Sequence, residues 1–200
     1  MKPIRSPQHV FTFITVLTGT LFIITAASAE SLSPRSGNEG DIIKETRGND
    51  RSYLRGLIIL EKSDRPCVVQ IYGNLVRVKD YTGRIEECSG SGPKMAKGVN
   101  SSKGQVFISG GSSYVHGLKL CLSSSNRVKG WTIYGKSAYS PNEVSDSFRR
   151  TNCPNGGWQR RVDCPDNTKA IGVRAHFMAA SGNKSDSLTG MQLICDDNRP

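Results

Sequence analysis

Two histidines are the side chains that could act as general bases in the chain after residue 29. His116 comes directly before a glycine, and His176 lies in a stretch of alternating apolar residues. Neither is surrounded by a G-x-S-x-G or H-E-x-x-H pattern, the arrangements that place a histidine beside a nucleophile or a metal. We therefore interpret both as ordinary strand residues and predict no catalytic residue.

Carboxylates are the second candidate chemistry, because two of them at the right separation hydrolyse a glycosidic bond. The residues that could form such a pair are Glu86, Glu87, Asp163, Asp166, Asp186, Asp196 and Asp197. Their separation in space, which this chemistry requires, does not follow from the sequence. Glycan hydrolysis is therefore the weakest hypothesis, and we expect a non-enzymatic protein.

Aromatic rings offer flat apolar surfaces on which sugar rings can stack. Trp131, Tyr134, Tyr139 and Trp158 are the candidates, with Asn155, Asp163, Asp166 and Asp186 as polar side chains that could bind sugar hydroxyls. The alternative for the two tryptophans is a place in the core, since large aromatic side chains usually dominate cores. We favour that alternative for the tryptophans and expect Tyr139, in a polar loop, to be exposed.

Six cysteines follow residue 29, at positions 67, 88, 121, 153, 164 and 195. An even number in an exported chain predicts three disulfides, for which fifteen pairings are possible. We predict a bond between Cys67 and Cys88, because the residues between them resemble a hairpin, and make no prediction of how the other four cysteines pair. A zinc site is excluded by spacing, since the sequence has no C-x-x-C. No metal or cofactor is expected.

The first 29 residues have the pattern of a secretory signal peptide. Lys2 and Arg5 precede an apolar run over residues 10–24, and Ala27-Ser28-Ala29 supplies small residues at a cleavage site. The apolar run is shorter than the roughly 20 residues that span a membrane. The sequence thus predicts a secreted, extracellular protein that begins at Glu30 and has no transmembrane segment.

The chain is basic, with a formal net charge of +10 at pH 7. This charge favours anionic partners such as acidic glycans or phospholipid headgroups, although it can also serve solubility alone. Basic residues are scattered and occur at most as pairs such as Arg149-Arg150 and Arg160-Arg161. Nucleic-acid binding is therefore not expected. Asn100 and Asn183 begin N-x-S/T sequons, which predict a glycoprotein if the source is eukaryotic.

Composition divides the remaining chain into two parts. Residues 30–49 are polar, with several Ser and Gly, and predict a mobile N-terminal tail. Residues 50–200 carry short apolar runs separated by Gly, Ser and Asn, which predict one all-β domain. Among its predicted strands, residues 68–72 and 75–78 flank Gly73-Asn74, a pair typical of a tight hairpin turn.

A short glycine-centred pattern occurs three times in this domain. In each copy an apolar residue lies two positions before Gly56, Gly117 or Gly190. Further apolar residues lie one and three positions after the glycine. Gly172-Val173 and Gly98-Val99 precede the third and second copies at nearly the same distance, which extends the predicted repeat backwards. Chance recurrence in a glycine-rich β protein is the alternative, but repeats are typical of architectures built from equivalent units.

The segment from Cys164-Pro165 through Gly172-Val173 to Leu188–Cys195 resembles the repeat of the vitelline membrane outer layer protein family. The resemblance is good over residues 151–197 and weaker towards the N-terminus. It implies an all-β, three-fold β-prism of antiparallel Greek-key sheets, stabilised by disulfides. The acidic residues that precede the repeat's final strand in the family are reduced here to Asp186.

Three functions are compatible with these features. The first is a secreted glycan-binding protein or a structural component of an extracellular coat or matrix. The second is a secreted effector, such as a salivary, venom or defence protein, that acts on anionic membranes or host targets. Glycan hydrolysis is the third.

Overall fold

The computed structural model describes residues 30–48, 52–73, 82–90, 92–99, 103–110, 112–137 and 140–196. The predicted signal peptide, the strand predicted at residues 75–78, Asn100 and Tyr139 lie outside these ranges. Within them, no helix is long and apolar enough to cross a membrane. The strands are β1 (Ser31–Leu32), β2 (Ser36–Gly37), β3 (Ile42–Arg47), β4 (Leu54–Lys62), β5 (Arg65–Gly73), β6 (Gly83–Glu86), β7 (Lys94–Met95), β8 (Gln105–Phe107), β9 (Tyr114–Leu122), β10 (Val128–Ser137), β11 (Ser140–Arg149), β12 (Val162–Asp163), β13 (Lys169–Met178) and β14 (Ser187–Asp196).

These strands form three antiparallel sheets. Sheet I has the order β6-β5-β4-β7, with β8 also paired to β4; sheet II has the order β11-β10-β9-β12. Sheet III has the order β1-β14-β13-β3, with β2 also paired to β14. In sheets I and II three consecutive strands are followed by a fourth that returns beside the first, which is a Greek key. The predicted arrangement of three antiparallel sheets is confirmed, with Greek keys in sheets I and II, whereas sheet III combines strands from the beginning and the end of the described chain.

The N-terminal residues belong to this fold, so the prediction of a mobile tail over residues 30–49 is wrong. Ser31 pairs with Cys195, and β3 pairs with β13 over six residues. Ser33 and Ser36 are buried. The segment contains few apolar side chains because it supplies outer strands, which are held by backbone hydrogen bonds to β13 and β14 and need little core of their own. The folded domain therefore includes residues 30–48.

The three predicted glycine-centred strands are equivalent in space. Gly56, Gly117 and Gly190 lie on β4, β9 and β14, which hold the same position in the three sheets. The strand register shifts immediately before each glycine, so that one residue in each strand forms a β-bulge. At each glycine a neighbouring segment lies in close contact with the strand. A Cβ at Gly190, for example, would lie 2.3 Å from the Asn38 carbonyl oxygen. A larger residue would collide, which explains the recurrence.

The backward extension of the repeat is wrong. β14 is the second strand of its hairpin, whereas β4 and β9 are the first strands of theirs. The residue equivalent to Gly172 is therefore Gly130 in β10, since each of these follows the register shift near the start of its strand. Gly98 lies outside the named strands. The third unit of the repeat is thus connected in a different order from the first two.

One large core fills the space between the sheets, and a smaller cluster of Tyr53, Ile171 and Ile194 lies apart from it. Alternate residues of the central strands point into the large core, as the two-residue period of a β-strand requires. Ile59, Leu120 and Leu193 supply one such position from each sheet. Its large aromatic side chains among the described residues are Trp131, Phe148 and Phe177.

Three disulfides connect the strands: Cys67–Cys88, Cys121–Cys153 and Cys164–Cys195. The predicted Cys67–Cys88 bond is confirmed and joins β5 to the residues after β6, its hairpin partner. The Cys164–Cys195 bond joins the segment after β12, in sheet II, to the end of β14, in sheet III.

Candidate functional site

A cleft with a volume of about 760 Å³ opens between sheet II and the segment that leads into β13. We call it the charged cleft. It is lined by Tyr114, His116, Lys136, Arg161, Asp163, Cys164, Pro165, Asp166, Asn167, Thr168 and Lys169. Strands β9, β10, β12 and β13 and the turn between β12 and β13 therefore all contribute side chains.

Arg161 organises the carboxylates of the charged cleft. Its Nε donates to Asp163 Oδ1 at 2.8 Å, and its Nη1 and Nη2 donate to Glu143 Oε1 and Oε2 at 2.7 and 2.6 Å. Its guanidinium carbon also lies 4.0 Å from the centre of the Tyr134 ring. The hydrogen bonds from Arg161 lower the pKa of Glu143, so this carboxylate stays ionised. One planar cation thus fixes two acids and covers an aromatic face.

His116 lies between the same two acids. It is the bulged residue before Gly117, and a bulge turns the side chain away from the regular alternation of its strand. Its Nε2 lies 3.2 Å from Glu143 Oε2, and its Nδ1 lies 3.6 Å from Asp163 Oδ1. Burial lowers the pKa of His116, and the attraction of Glu143 opposes this only in part. The imidazole is therefore neutral at pH 7.

The repeat glycine of sheet II makes this arrangement possible. A Cβ at Gly117 would lie 2.3 Å from Asp163 Oδ1 and 3.1 Å from the Tyr134 Cβ. Contacts this short are not tolerated, so any side chain at this position would displace Asp163. The strand pattern that builds the prism therefore also places a carboxylate in the cleft.

Lys169 covers two tyrosine rings at the other wall. Its Nζ lies 4.3 Å from the centre of the Tyr53 ring and 4.8 Å from that of Tyr114, within the range of cation–π attraction. The two rings are 6.2 Å apart. Their faces are therefore occupied by an ammonium group, and recognition in this cleft depends on polar groups more than on stacking.

The turn between β12 and β13 is held in one shape. Thr168 donates to the Pro165 carbonyl oxygen through its Oγ1 at 2.8 Å and through its backbone N–H at 3.1 Å. Asn167 has a φ of 64°, which asparagine tolerates better than most residues. The Cys164–Cys195 disulfide fixes the start of the turn. Asp166, at the exposed tip, thus has a fixed backbone.

The electrostatics favour binding over hydrolysis. A glycosidase needs one carboxyl group with a raised pKa that can protonate the leaving oxygen. The pKa of Glu143 is lowered instead, and Asp163 also accepts hydrogen bonds from Arg161. Glu143 is therefore not suited to act as this acid, and the arrangement can hold a polar ligand.

The predicted ligand-binding residues fall into separate groups. Asp163 and Asp166 line the charged cleft, and Tyr134 adjoins it through Arg161. Trp131 is 1% exposed and packs against Phe148, so its predicted role in stacking on a sugar is wrong and its core role is correct.

The other predicted residues lie elsewhere. Trp158 is half-buried, with Lys119 Nζ 5.6 Å from the centre of its ring. Asn155 accepts a hydrogen bond from Arg149, and Asp186 accepts one from the Ala180 N–H at 2.7 Å in the β13–β14 loop. Asn183 is exposed in that loop.

Sequence reasoning did not identify Glu143, Arg161 or Lys169 as site residues. Glu143 lies on β11 and Arg161 directly precedes β12, at opposite edges of sheet II, and the two side chains meet across the face of the sheet. The spacing of Arg161 and Asp163 could have indicated that their side chains lie together, because residues two apart in extended chain share a face. His116 was considered and interpreted as an ordinary strand residue, yet it lines the cleft.

No protein-family model and no curated protein matches this chain. Several solved structures do match it. The Calsepa lectin in complex with a biantennary N-glycan is 9% identical, with a TM-score of 0.50 over 85% of this chain and 98% of the lectin. The fold is a β-prism.

Two further structures are similar at lower scores. Single-chain recombinant jacalin is 9% identical, with a TM-score of 0.47 over 86% of this chain and 98% of jacalin. The V. cholerae biofilm matrix protein Bap1 is 10% identical, with a TM-score of 0.45 over 85% of this chain and 24% of Bap1. At these identities the similarity concerns the fold, and the chain spans about a quarter of Bap1.

Proposed function

We propose that this protein is an extracellular, non-enzymatic glycan-binding protein that holds its ligand in the charged cleft, either as a lectin or as a component of a coat or matrix. The observation that carries this proposal is the cleft itself: carboxylates fixed by Arg161 stand opposite lysines on a rigid β-sheet scaffold. The complex of Calsepa with an N-glycan supports a β-prism as a suitable scaffold. The resemblance to the vitelline membrane outer layer family agrees with the coat role.

Sugar hydroxyls both donate and accept hydrogen bonds, and the cleft offers partners of both kinds. Asp163 and Asp166 supply acceptor oxygens, while Lys136 and Asn167 supply N–H donors. Because Arg161 and the disulfide fix the cleft before a ligand arrives, little conformational entropy is lost on binding.

The free charges favour a glycan that carries an acidic group. Among the described residues, Lys136 and Lys169 have no carboxylate within 4 Å, and Asp166 is the cleft's carboxylate without a cation. Counting Glu143 and Asp163, which Arg161 holds, the three cations in and beside the cleft equal the three carboxylates in number, but Lys136 and Lys169 take part in no ion pair among the described residues. A sugar carboxylate or sulfate would give these two lysines a counter-charge.

Secretion is part of the proposal. It is supported by the signal-peptide pattern of residues 1–29 and by the three disulfides, which form and persist in oxidising compartments. Cleavage at Ala29 would be checked by N-terminal sequencing of the protein recovered from culture medium; recovery of uncleaved protein inside the cell would contradict it.

A glycan array that carries neutral and acid-bearing glycans tests the binding site. The variant Lys136→Gln removes a cleft cation that makes no ion pair among the described residues, so the fold should be unaffected. We expect its signal on acid-bearing glycans to fall at least about tenfold, the loss of roughly 1.4 kcal/mol of binding free energy. Lys184→Gln, in an exposed loop, is the matched control. Equal signals for both variants would overturn the proposal.

A second candidate function is adhesion to an anionic membrane. Lys97 and Lys103 are directly opposite each other in an antiparallel bridge, both are exposed, and like charges in this position repel. Lys94 is also exposed nearby on the chain, and Val99 is an exposed apolar side chain. Such a surface predicts salt-sensitive adhesion to phosphatidylserine vesicles that Lys97→Gln/Lys103→Gln weakens. Equal adhesion of the variant would exclude this surface.

A further inference from the structure

A second cleft, with a volume of about 460 Å³, lies at the β9–β10 turn. We call it the neutral cleft. Its walls are residues 122–126 of that turn, residues 154–159, and Asn38 from the segment between β2 and β3. None of the described residues that line it carries a charge. Its volume falls within the range of sites that bind small ligands.

Two side-chain amides of the neutral cleft are free to bind a ligand. Among the described residues, none forms a hydrogen bond with the side-chain amide of Asn38 or Asn126. Gln159 uses its Nε2 to donate to the Gly157 carbonyl oxygen at 3.0 Å, which leaves its Oε1 as an acceptor. An amide donates and accepts at once, as a sugar hydroxyl does. The cleft therefore offers paired donors and acceptors without charge.

The two larger walls are tied together. The Cys121–Cys153 disulfide links them, and the Gln159 N–H donates to the Leu120 carbonyl oxygen at 2.8 Å. A Cβ at Gly157 would lie 2.3 Å from the Leu122 carbonyl oxygen, so the two backbones are in contact. Within the turn, the Asn126 N–H donates to the Ser123 carbonyl oxygen at 2.9 Å. The amides thus stand on a rigid frame.

The third wall comes from sheet III. The Asn38 N–H donates to the Thr189 carbonyl oxygen at 3.0 Å, which fixes this residue on β14. Two residues earlier, the Ser36 hydroxyl accepts from the Leu120 N–H at 3.0 Å and donates to the Arg160 carbonyl oxygen at 3.3 Å. The N-terminal segment is therefore fastened to both sheets where they meet at the cleft.

We propose that the neutral cleft is a second carbohydrate-binding site, which takes an uncharged sugar residue through the amides of Asn38, Asn126 and Gln159. This rests on the proposed function, and adds that the protein has two sites of different chemistry on one rigid chain. Two separate sites allow one molecule to bridge two glycan chains, and simultaneous engagement raises the overall affinity without new contacts. A protein of this kind crosslinks neutral and acidic glycans.

The same array, which carries neutral glycans beside acid-bearing ones, tests the second site. The variant Asn38→Ala/Asn126→Gly removes both amides, and glycine at 126 is chosen because this residue has a φ of 58°. We expect signals on neutral glycans to fall at least about tenfold and signals on acid-bearing glycans to stay unchanged. Asn142→Ala, an exposed asparagine on β11 outside both clefts, is the control. Near-ultraviolet circular dichroism confirms that each variant is folded.

Bridging is measured with two bead populations, one coated with the strongest neutral glycan from the array and one with the strongest acid-bearing glycan. The wild-type protein should bring the two populations together, and a variant in either cleft should not. The second site is overturned if neutral-glycan signals survive in Asn38→Ala/Asn126→Gly or are absent from the wild type. A loss confined to this variant, with Lys136→Gln unaffected, would instead overturn the proposed function of the charged cleft alone.

Discussion

Replacing Asp64 by asparagine should destabilise the fold more than removing its buried partner, Lys129. Lys129 is 1% exposed and reaches from the bulge near the start of β10 to the β4–β5 turn. Its Nζ donates to the Asp64 carbonyl oxygen at 2.6 Å and lies 2.8 Å from Asp64 Oδ1. Arg150 contacts the same carboxylate at 2.7 Å and also Glu61. This cluster therefore connects sheets I and II through charges.

Asp64→Asn should lower the free energy of unfolding because Lys129 is buried. Asp64→Asn keeps the shape of the side chain and the positive φ of 63° that asparagine tolerates, but it leaves the buried ammonium without its main counter-charge. Hydrogen bonds to charged groups contribute roughly 1.5–3 kcal/mol. Because the Asp64 side chain is 48% exposed and solvent screens the pair, we expect about 2 kcal/mol, or roughly 4–8 °C in melting temperature.

Lys129→Met, by contrast, should change the free energy of unfolding little. It removes the buried charge and fills its volume with an apolar side chain, while Asp64 keeps Arg150 and its exposure to water. Replacement of a buried ionic group by a hydrophobic one is often neutral or stabilising. We therefore expect a change within about 1 kcal/mol, and the double variant should match Lys129→Met alone, because Asp64→Asn then leaves no buried charge unpaired.

Urea unfolding with the disulfides intact measures these free energies, and pH provides a second check. Burial raises the pKa of Asp64, but the hydrogen bond from Lys129 and the charges of Lys129 and Arg150 outweigh it, so the net pKa is lowered. A lowered pKa gives stability that is present above the ordinary value and is lost as the pH falls below about 4. This acid-dependent loss should be smaller in Asp64→Asn. A larger loss of stability in Lys129→Met than in Asp64→Asn would refute the reasoning.

Three further substitutions test other features. Ser36→Ala leaves the buried Leu120 N–H without an acceptor and should cost about 1–3 kcal/mol in urea unfolding; no change would show that water replaces the hydroxyl. The added Cβ of Gly190→Ala would lie 2.3 Å from a backbone carbonyl oxygen, whereas that of Gly117→Ala would meet the end of an aspartate side chain, which can move. Thermal melting should therefore show a larger fall in melting temperature for Gly190→Ala than for Gly117→Ala, and equal falls would contradict this. Burial lowers the pKa of His176, so the unfolded state binds more protons than the folded state below about pH 6.5. The melting temperature should therefore fall from pH 7 to pH 5, and it should fall less steeply in His176→Gln. Equal slopes for the two proteins would refute this role of His176.

The sequence contained most of the architecture because the repeat follows from local constraints. Gly56, Gly117 and Gly190 are each needed where a neighbouring segment approaches the strand, and the apolar residues after each glycine face the core. Such constraints act within a few residues and leave a visible pattern. The Cys67–Cys88 bond was predictable for the same reason, since it joins neighbouring strands of one hairpin.

Features that depend on distant pairing were not predictable. Residues 31–47 have the composition of a tail, and only the unpaired edges of β13 and β14 give them strand structure. The charged cleft likewise depends on Arg161 meeting Glu143 across sheet II. Asp163 and Asp166 were found from residue type alone, but the cation that holds Asp163 in place required the topology.

The sharing of sheet III between the two ends of the chain has a consequence for folding. Sheets I and II are each built from one continuous stretch of chain, so each can form while the remainder is still being synthesised. Sheet III needs both β1–β3 and β13–β14, which closes the longest loop in the molecule and makes this step slow. A nascent chain therefore reaches its native topology only when its last strand emerges.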